Sequence, residues 1–166
     1  MASTVLVVRV DRKPIRLQLH DTAGQSSFDT LRPLSYAEAD VFIIVFSIVD
    51  RQSFDDVLHR WYPEVSKRSP GTRIILVGTQ ADQKWTARQP VTTTEAMSMA
   101  HRLNAEYFEC SALTQHNLKE MFDATILAGL EGSRVKSKKN TFQTKSVKIK
   151  ERMQKFFTRT KNFVSY

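Results

Sequence analysis

Ile15-Arg16-Leu17-Gln18-Leu19-His20-Asp21-Thr22-Ala23-Gly24-Gln25 decides how the rest of the chain is read. Ile15, Leu17 and Leu19 alternate with polar residues, the pattern of a half-buried strand, and the polar residues after Gln25 form a loop. Asp21-Thr22-Ala23-Gly24-Gln25 therefore stands where a strand runs out at the edge of a sheet. Three roles in phosphate chemistry fit there: an aspartate holding magnesium through water, a glycine whose amide approaches a terminal phosphate, and a glutamine orienting a water for in-line attack. A plain turn would also use Asp and Gly at such a junction.

Two further stretches bear on the choice. Ile74-Ile75-Leu76-Val77-Gly78 is a buried-strand run leading into Thr79-Gln80-Ala81-Asp82, and Tyr107-Phe108-Glu109-Cys110 leads into Ser111-Ala112-Leu113. In order and spacing these motifs resemble a small GTPase of the Ras superfamily. Leu31-Arg32-Pro33-Leu34-Ser35-Tyr36 and Trp61-Tyr62-Pro63-Glu64-Val65 narrow the resemblance to the Rho family. Gly78-Thr79-Gln80 with Ser111-Ala112-Leu113-Thr114 is most similar to its atypical U and V branch. The resemblance covers about residues 4–131.

The resemblance implies GTP or GDP with magnesium as ligands and slow GTP hydrolysis. Gln25 would be catalytic, and Asp21 would hold magnesium through water. The nucleotide would lie against Asp21, Thr22, Ala23, Gly24, Gln25, Thr79, Gln80, Asp82, Ser111, Ala112 and Leu113. Asp82 would accept from the guanine base. Gln80 stands where a lysine ordinarily lines the ring, which implies a weaker grip. Phe28, Leu31 and Leu34 would meet effectors, exchange factors or kinases, in control of actin and polarity; alternatively they pin their loop to the next helix. His20 replaces a tryptophan common in Rho proteins and points away from the leucine face, as a solvated or hydrogen-bonded histidine.

No GxxxxGK[ST] string occurs in the 166 residues. Met1 to Val10 already reads as the family's second strand, so the first strand, phosphate loop, first helix and nearly all of the first switch fall outside the sequence. The expected fold is α/β: a Ras-like, doubly wound, mostly parallel sheet with helices on both faces, lacking the first strand and helix. Two inner strand edges would face a gap, and they either re-pair or leave the fold loosened, with marginal stability. Two functions stay open, a GTP-binding switch impaired at the phosphates and a nucleotide-free module that engages regulators or membrane.

Along the chain, Thr4 to Val10 and Pro14 to His20 read as a hairpin joined by Asp11-Arg12-Lys13. Val41 to Ile48 reads as an inner parallel strand covered on both faces. A helix capped by Asp50 or Ser53 runs to about Lys67, with Phe54, Val57, Leu58 and Trp61 at helical spacing. From Asp82 to Pro90 the chain is too short for the extra helix of most Rho proteins. Thr92 to Leu103 is a helix capped by Thr92 or Thr93, with Ala96, Met99, Ala100 and Leu103 facing inward. Glu106 to Cys110 is the last strand. The final helix spans Gln115 to Gly132, with Leu118, Met121, Phe122 and Thr125 inward and Gly132 as its stop.

One cysteine, Cys110, excludes an internal disulfide, suits a reducing compartment and reads as buried filler. No signal-peptide pattern and no window of 18 apolar residues is present. Residues 1–132, read as the GTPase domain, carry 14 Lys+Arg against 16 Asp+Glu, whereas residues 133–166 carry 11 against 1. The net charge of +8 thus belongs to the tail and is no sign of specific nucleic-acid binding by the globular part. Residues 133–146 read as disordered. Beyond them Ile149, Met153, Phe156, Phe157 and Phe163 share one helical face and Lys148, Lys150, Arg152, Lys155, Arg159 and Lys161 the other. Such a basic amphipathic helix suits an anionic membrane surface, each basic residue adding about 1 kcal/mol. Lys148, Lys150, Met153, Lys155, Phe156 and Phe157 would make that contact from a cytoplasmic, peripheral location, since the chain ends without a lipidation cysteine.

Overall fold

The computed structural model describes residues 2–138, with side chains placed over 3–132. Strands β1 (Ala2–Val10) and β2 (Lys13–Asp21) form an antiparallel hairpin in full register from Ala2 opposite Asp21 to Val10 opposite Lys13. The turn is two residues long. Asp11 and Arg12 both take positive φ, 50° and 65°, the twist that joins two strands tightly. As expected, Ile15, Leu17 and Leu19 lie on the more covered face of β2, and His20 is exposed.

A second, parallel sheet carries the core in the order β3 (Val41–Ser47), β4 (Arg73–Thr79) and β5 (Glu106–Glu109). Side chains alternate across β4. Ile74 and Leu76 enter one cluster with Phe46, Ile48, Phe54, Val57, Met99 and Leu103, while Ile75 and Val77 enter another with Cys110, Met121 and Ala128. Both faces of β4 are therefore dry, which is why its sequence is continuously apolar. On the first face lie α1 (Arg51–Asp56), α2 (Tyr62–Arg68) and α3 (Thr93–Arg102). On the second lies α4 (Leu118–Lys138).

The expected helix after Asp50 is present, and Asp50 caps it by accepting from the Gln52 amide at 3.0 Å. It widens, however, into a π turn over Val57–Trp61. Pro63, near the start of α2, has no amide to continue the ladder and its ring crowds the carbonyl four residues back, which a wider turn relieves. α3 begins as expected at a Thr92 cap. Its hydroxyl accepts from the Glu95 amide while Glu95 reaches back to the Thr92 amide, a reciprocal capping box. Between Asp82 and Pro90, as expected, there is no further helix beyond the 3-10 turn Ala81–Gln83.

Three expectations need correction. Gly132 does not stop the last helix, which starts at Leu118 and runs on to Lys138. A Cβ on Gly132 would stand 3.0 Å from the Asp40 carbonyl, so the glycine allows close packing rather than termination. Phe122 is more exposed than the inward face expected of it, although Met121 and Thr125 are buried. And β3 is not an inner strand covered on both faces: it is an edge of its sheet, with Val45 half-exposed between buried Ile44 and Phe46.

The two facing edges do not re-pair. Among the described residues the hairpin and the parallel sheet are separate sheets, and between them, against α4, lies a cavity of about 450 Å³. Its wall includes every residue from Ile15 to His20 and from Val41 to Ile43. Because strand side chains alternate between faces, a wall of consecutive residues marks strand edges rather than a strand face. Residues 139–166, and with them Lys148, Lys150, Met153, Lys155, Phe156 and Phe157, lie outside the described residues.

Candidate functional site

Each of the three motifs sits in a loop at the C-terminal end of a strand, after β2, β4 and β5. Open α/β sheets bind ligands at that end of their parallel strands, a rule that applies here to the loops after β4 and β5, since β2 belongs to the separate hairpin. The loops after β4 and β5 lie side by side, with the Ala81 amide donating to the Cys110 carbonyl at 3.1 Å.

Two side chains expected on the guanine side are in contact. The hydroxyl of Ser111, fully buried, donates to Asp82 Oδ1 at 2.5 Å and accepts from the Thr114 amide at 3.1 Å. This fixes the aspartate at the mouth of the two loops. Gln80 is held in the left-handed region at φ 60°, a conformation that costs a non-glycine residue energy, and its Oε1 accepts from the Ser47 hydroxyl at 2.5 Å. Thr79 donates to the Phe46 carbonyl at 3.0 Å. Thus the end of β4 and the first residue after it are each fastened to β3. Ala112 is exposed, and Leu113, 82% exposed, projects into solvent.

A polar brace that the sequence did not signal supports this end. Lys84 Nζ donates to both Glu109 oxygens, at 2.9 and 2.8 Å, and to Thr93 at 2.6 Å. Burial works to raise the Glu109 carboxyl, but Lys84 and Thr93 outweigh it and hold the group below the usual range. Cys110 is buried, as expected, and burial pushes its thiol up, so it is filler rather than a reactive nucleophile.

The strand-end motif after β2 is organised differently. Asp21 is the last residue of β2 and exposed, Thr22 and Ala23 are half-buried, and Gly24 and Gln25 are exposed. The Gln25 carbonyl accepts from Phe28 at 3.0 Å, opening a 3-10 turn over Ser26–Phe28. No hydrogen bond among the described residues joins this segment to the loops after β4 and β5. It is bound instead to a charged network that the sequence did not reveal. Arg32, 3% exposed, forks onto Glu64 at 2.9 and 2.9 Å and reaches the Ala23 carbonyl at 2.8 Å, while Tyr36 donates to Glu64 at 2.6 Å. Arg32 above all holds the Glu64 carboxyl below its ordinary range, against the opposing effect of burial. Glu64 lies 32 positions from Arg32, and no local pattern predicts such a pairing. As to a metal, Asp21 is a single exposed carboxylate, and among the described residues no group of three His, Cys, Asp or Glu side chains is arranged to hold an ion. A single carboxylate can supply at most one protein contact, so a magnesium ion at Asp21 would have to take its other ligands from water and phosphate oxygens.

In the segment after Gln25, Leu31 and Leu34 are 55% and 75% exposed and Phe28 is half-buried. The two leucines face outward.

Comparison with known proteins agrees with this arrangement. The Ras family profile matches residues 1–130. The chain is 40% identical over 163 residues to the Rho-related GTP-binding protein RhoV of Mus musculus, Homo sapiens and Rattus norvegicus, an alignment covering 90% of this chain and 69% of each relative. The chain belongs to the Ras family of small GTPases and, within it, to the Rho proteins of the U and V type.

Proposed function

We propose that this chain is a Rho-type guanine-nucleotide signalling module in which the base is read at Asp82 and the terminal phosphate is met by Gly24 and Gln25. The Ser111 hydroxyl on Asp82 is the observation that carries this reading: it orients a carboxylate whose two-oxygen edge can accept from the paired N–H groups of guanine. Adenine offers no such pair, so the site selects guanine. Asp21 would hold magnesium through water, and Gln25, exposed beside Gly24, would orient the attacking water. Because the 166 residues contain no GxxxxGK[ST] segment to cradle the phosphates, the chain grips nucleotide more weakly than a P-loop protein does. Competition tests the base reading: unlabelled GDP displaces bound fluorescent GDP and ADP does not, and Asp82→Asn weakens GDP binding by at least about tenfold. Equal competition by ADP would refute it.

A second reading, a module that engages regulators without nucleotide, is favoured by the exposure of Leu31 and Leu34 on a turn fixed from below by Arg32. In either case the basic tail would place the protein at an anionic membrane surface. Phe156→Ser with Phe157→Ser should abolish co-sedimentation with phosphatidylserine vesicles; unchanged co-sedimentation would end the membrane proposal.

A further inference from the structure

The Ala23-Gly24-Gln25 backbone is held by two arginines on successive carbonyls. Arg32 Nη1 donates to the Ala23 carbonyl at 2.8 Å and Arg60 Nη2 to the Gly24 carbonyl at 3.0 Å. Both guanidinium groups stack on Trp61, 4.9 and 4.4 Å from its ring centre. The same ring closes the space under Gly24, where an added Cβ would meet Trp61 at 3.5 Å. Glu64 and Asp29 neutralise the pair, Asp29 accepting from both arginines. The network therefore brings two positive and two negative charges together and acts by geometry more than by field.

The geometric consequence follows from peptide planarity. Every peptide here is trans, so a carbonyl and the N–H of the next residue point in opposite directions. Drawing the Ala23 and Gly24 carbonyls toward the arginines turns the Gly24 and Gln25 N–H groups the other way, on two exposed residues. Among the described residues neither amide donates to a protein acceptor.

We propose that Arg32 and Arg60 are positioning residues that fix these two peptides so that the Gly24 amide meets the terminal phosphate of a nucleoside triphosphate. This rests on the nucleotide reading above and adds to it the discrimination between triphosphate and diphosphate. Arg32 is buried and its replacement threatens folding, so the test uses Arg60, whose side chain is 36% exposed. In the full chain at millimolar magnesium, affinities for GDP and for a non-hydrolysable GTP analogue are measured for wild type, Arg60→Met and Arg60→Lys. Backbone 15N heteronuclear NOEs are recorded without nucleotide. Arg60→Met should lower the analogue-to-GDP affinity ratio by about tenfold, the loss of one well-placed hydrogen bond. It should also loosen Gly24 and Gln25 alone, while Arg60→Lys, which can still donate to the Gly24 carbonyl, recovers part of both. An unchanged ratio in a variant that still binds GDP would overturn the positioning role and leave the nucleotide reading standing. A folded wild type that binds neither nucleotide would overturn the nucleotide reading and the phosphate role with it.

Discussion

At the scale of single residues the Arg32–Glu64 pair has the largest consequence for stability. Arg32 is almost fully enclosed, and without Glu64 its guanidinium keeps as carboxylate partner only Asp29, which is half-exposed and shared with Arg60. Glu64→Ala should therefore cost more in chemical denaturation than the fraction of a kcal/mol typical of surface pairs, and less than the about 3–5 kcal/mol of a buried charge left with no partner. The pair also fixes a pH dependence. Glu64 is held below its ordinary value of 4.5, chiefly by Arg32, so the unfolded chain takes up its proton first as pH falls. The stabilisation is complete above that value and drains away as pH drops through the folded one. In Glu64→Gln the part of the acid limb due to this residue should vanish; a stability–pH curve identical to wild type would show that the pair is not what responds. Glu95 behaves alike on the surface, with Arg51 and then Thr92 lowering it to about 2.

Among the elements, α3 is the one whose ends are written in its own sequence. A threonine followed three residues later by glutamate makes the capping box, and Ala96, Met99, Ala100 and Leu103 at helical spacing are all buried. Thr92→Ala should cost about 1 kcal/mol, read as a lowered midpoint in urea with an unchanged slope. Elements whose form depends on distant partners were less legible. Gly132 resembles a helix stop when read locally, but it faces the Asp40 backbone 92 positions away and the helix passes through it. The π turn at Val57–Trp61 was hidden because the apolar spacing of Phe54, Val57, Leu58 and Trp61 fits an unbroken helix as well. Arg32, Trp61 and Glu64 were visible as family markers, whereas the hold of Arg32 on the Ala23 carbonyl and of Arg60 on the Gly24 carbonyl, both guanidinium groups lying over Trp61, emerges only in three dimensions.

For the whole molecule, the gap between the two sheets matters most. The parallel sheet is dry on both faces of β4, while the hairpin exposes Val5, Leu6 and Val7 and shares no ladder with β3. Amide exchange should accordingly show the hairpin opening below the global unfolding free energy, with β4 exchanging slowest. The unfilled edges also predict a melting midpoint below about 55 °C, and a sharp cooperative melt above it, with hairpin and sheet equally protected, would contradict this. The α/β class and the three loops were legible because strand ends and loop motifs are local; the failure of the edges to meet was left open because it depends on packing against α4. The direct test of the central claim is a titration of the purified 166-residue chain with fluorescent GDP at millimolar magnesium. We predict saturable binding, weaker than in P-loop GTPases, that ADP does not displace. Absence of saturable binding in a chain shown to be folded would contradict it, and would make this a Rho-derived module that works without nucleotide.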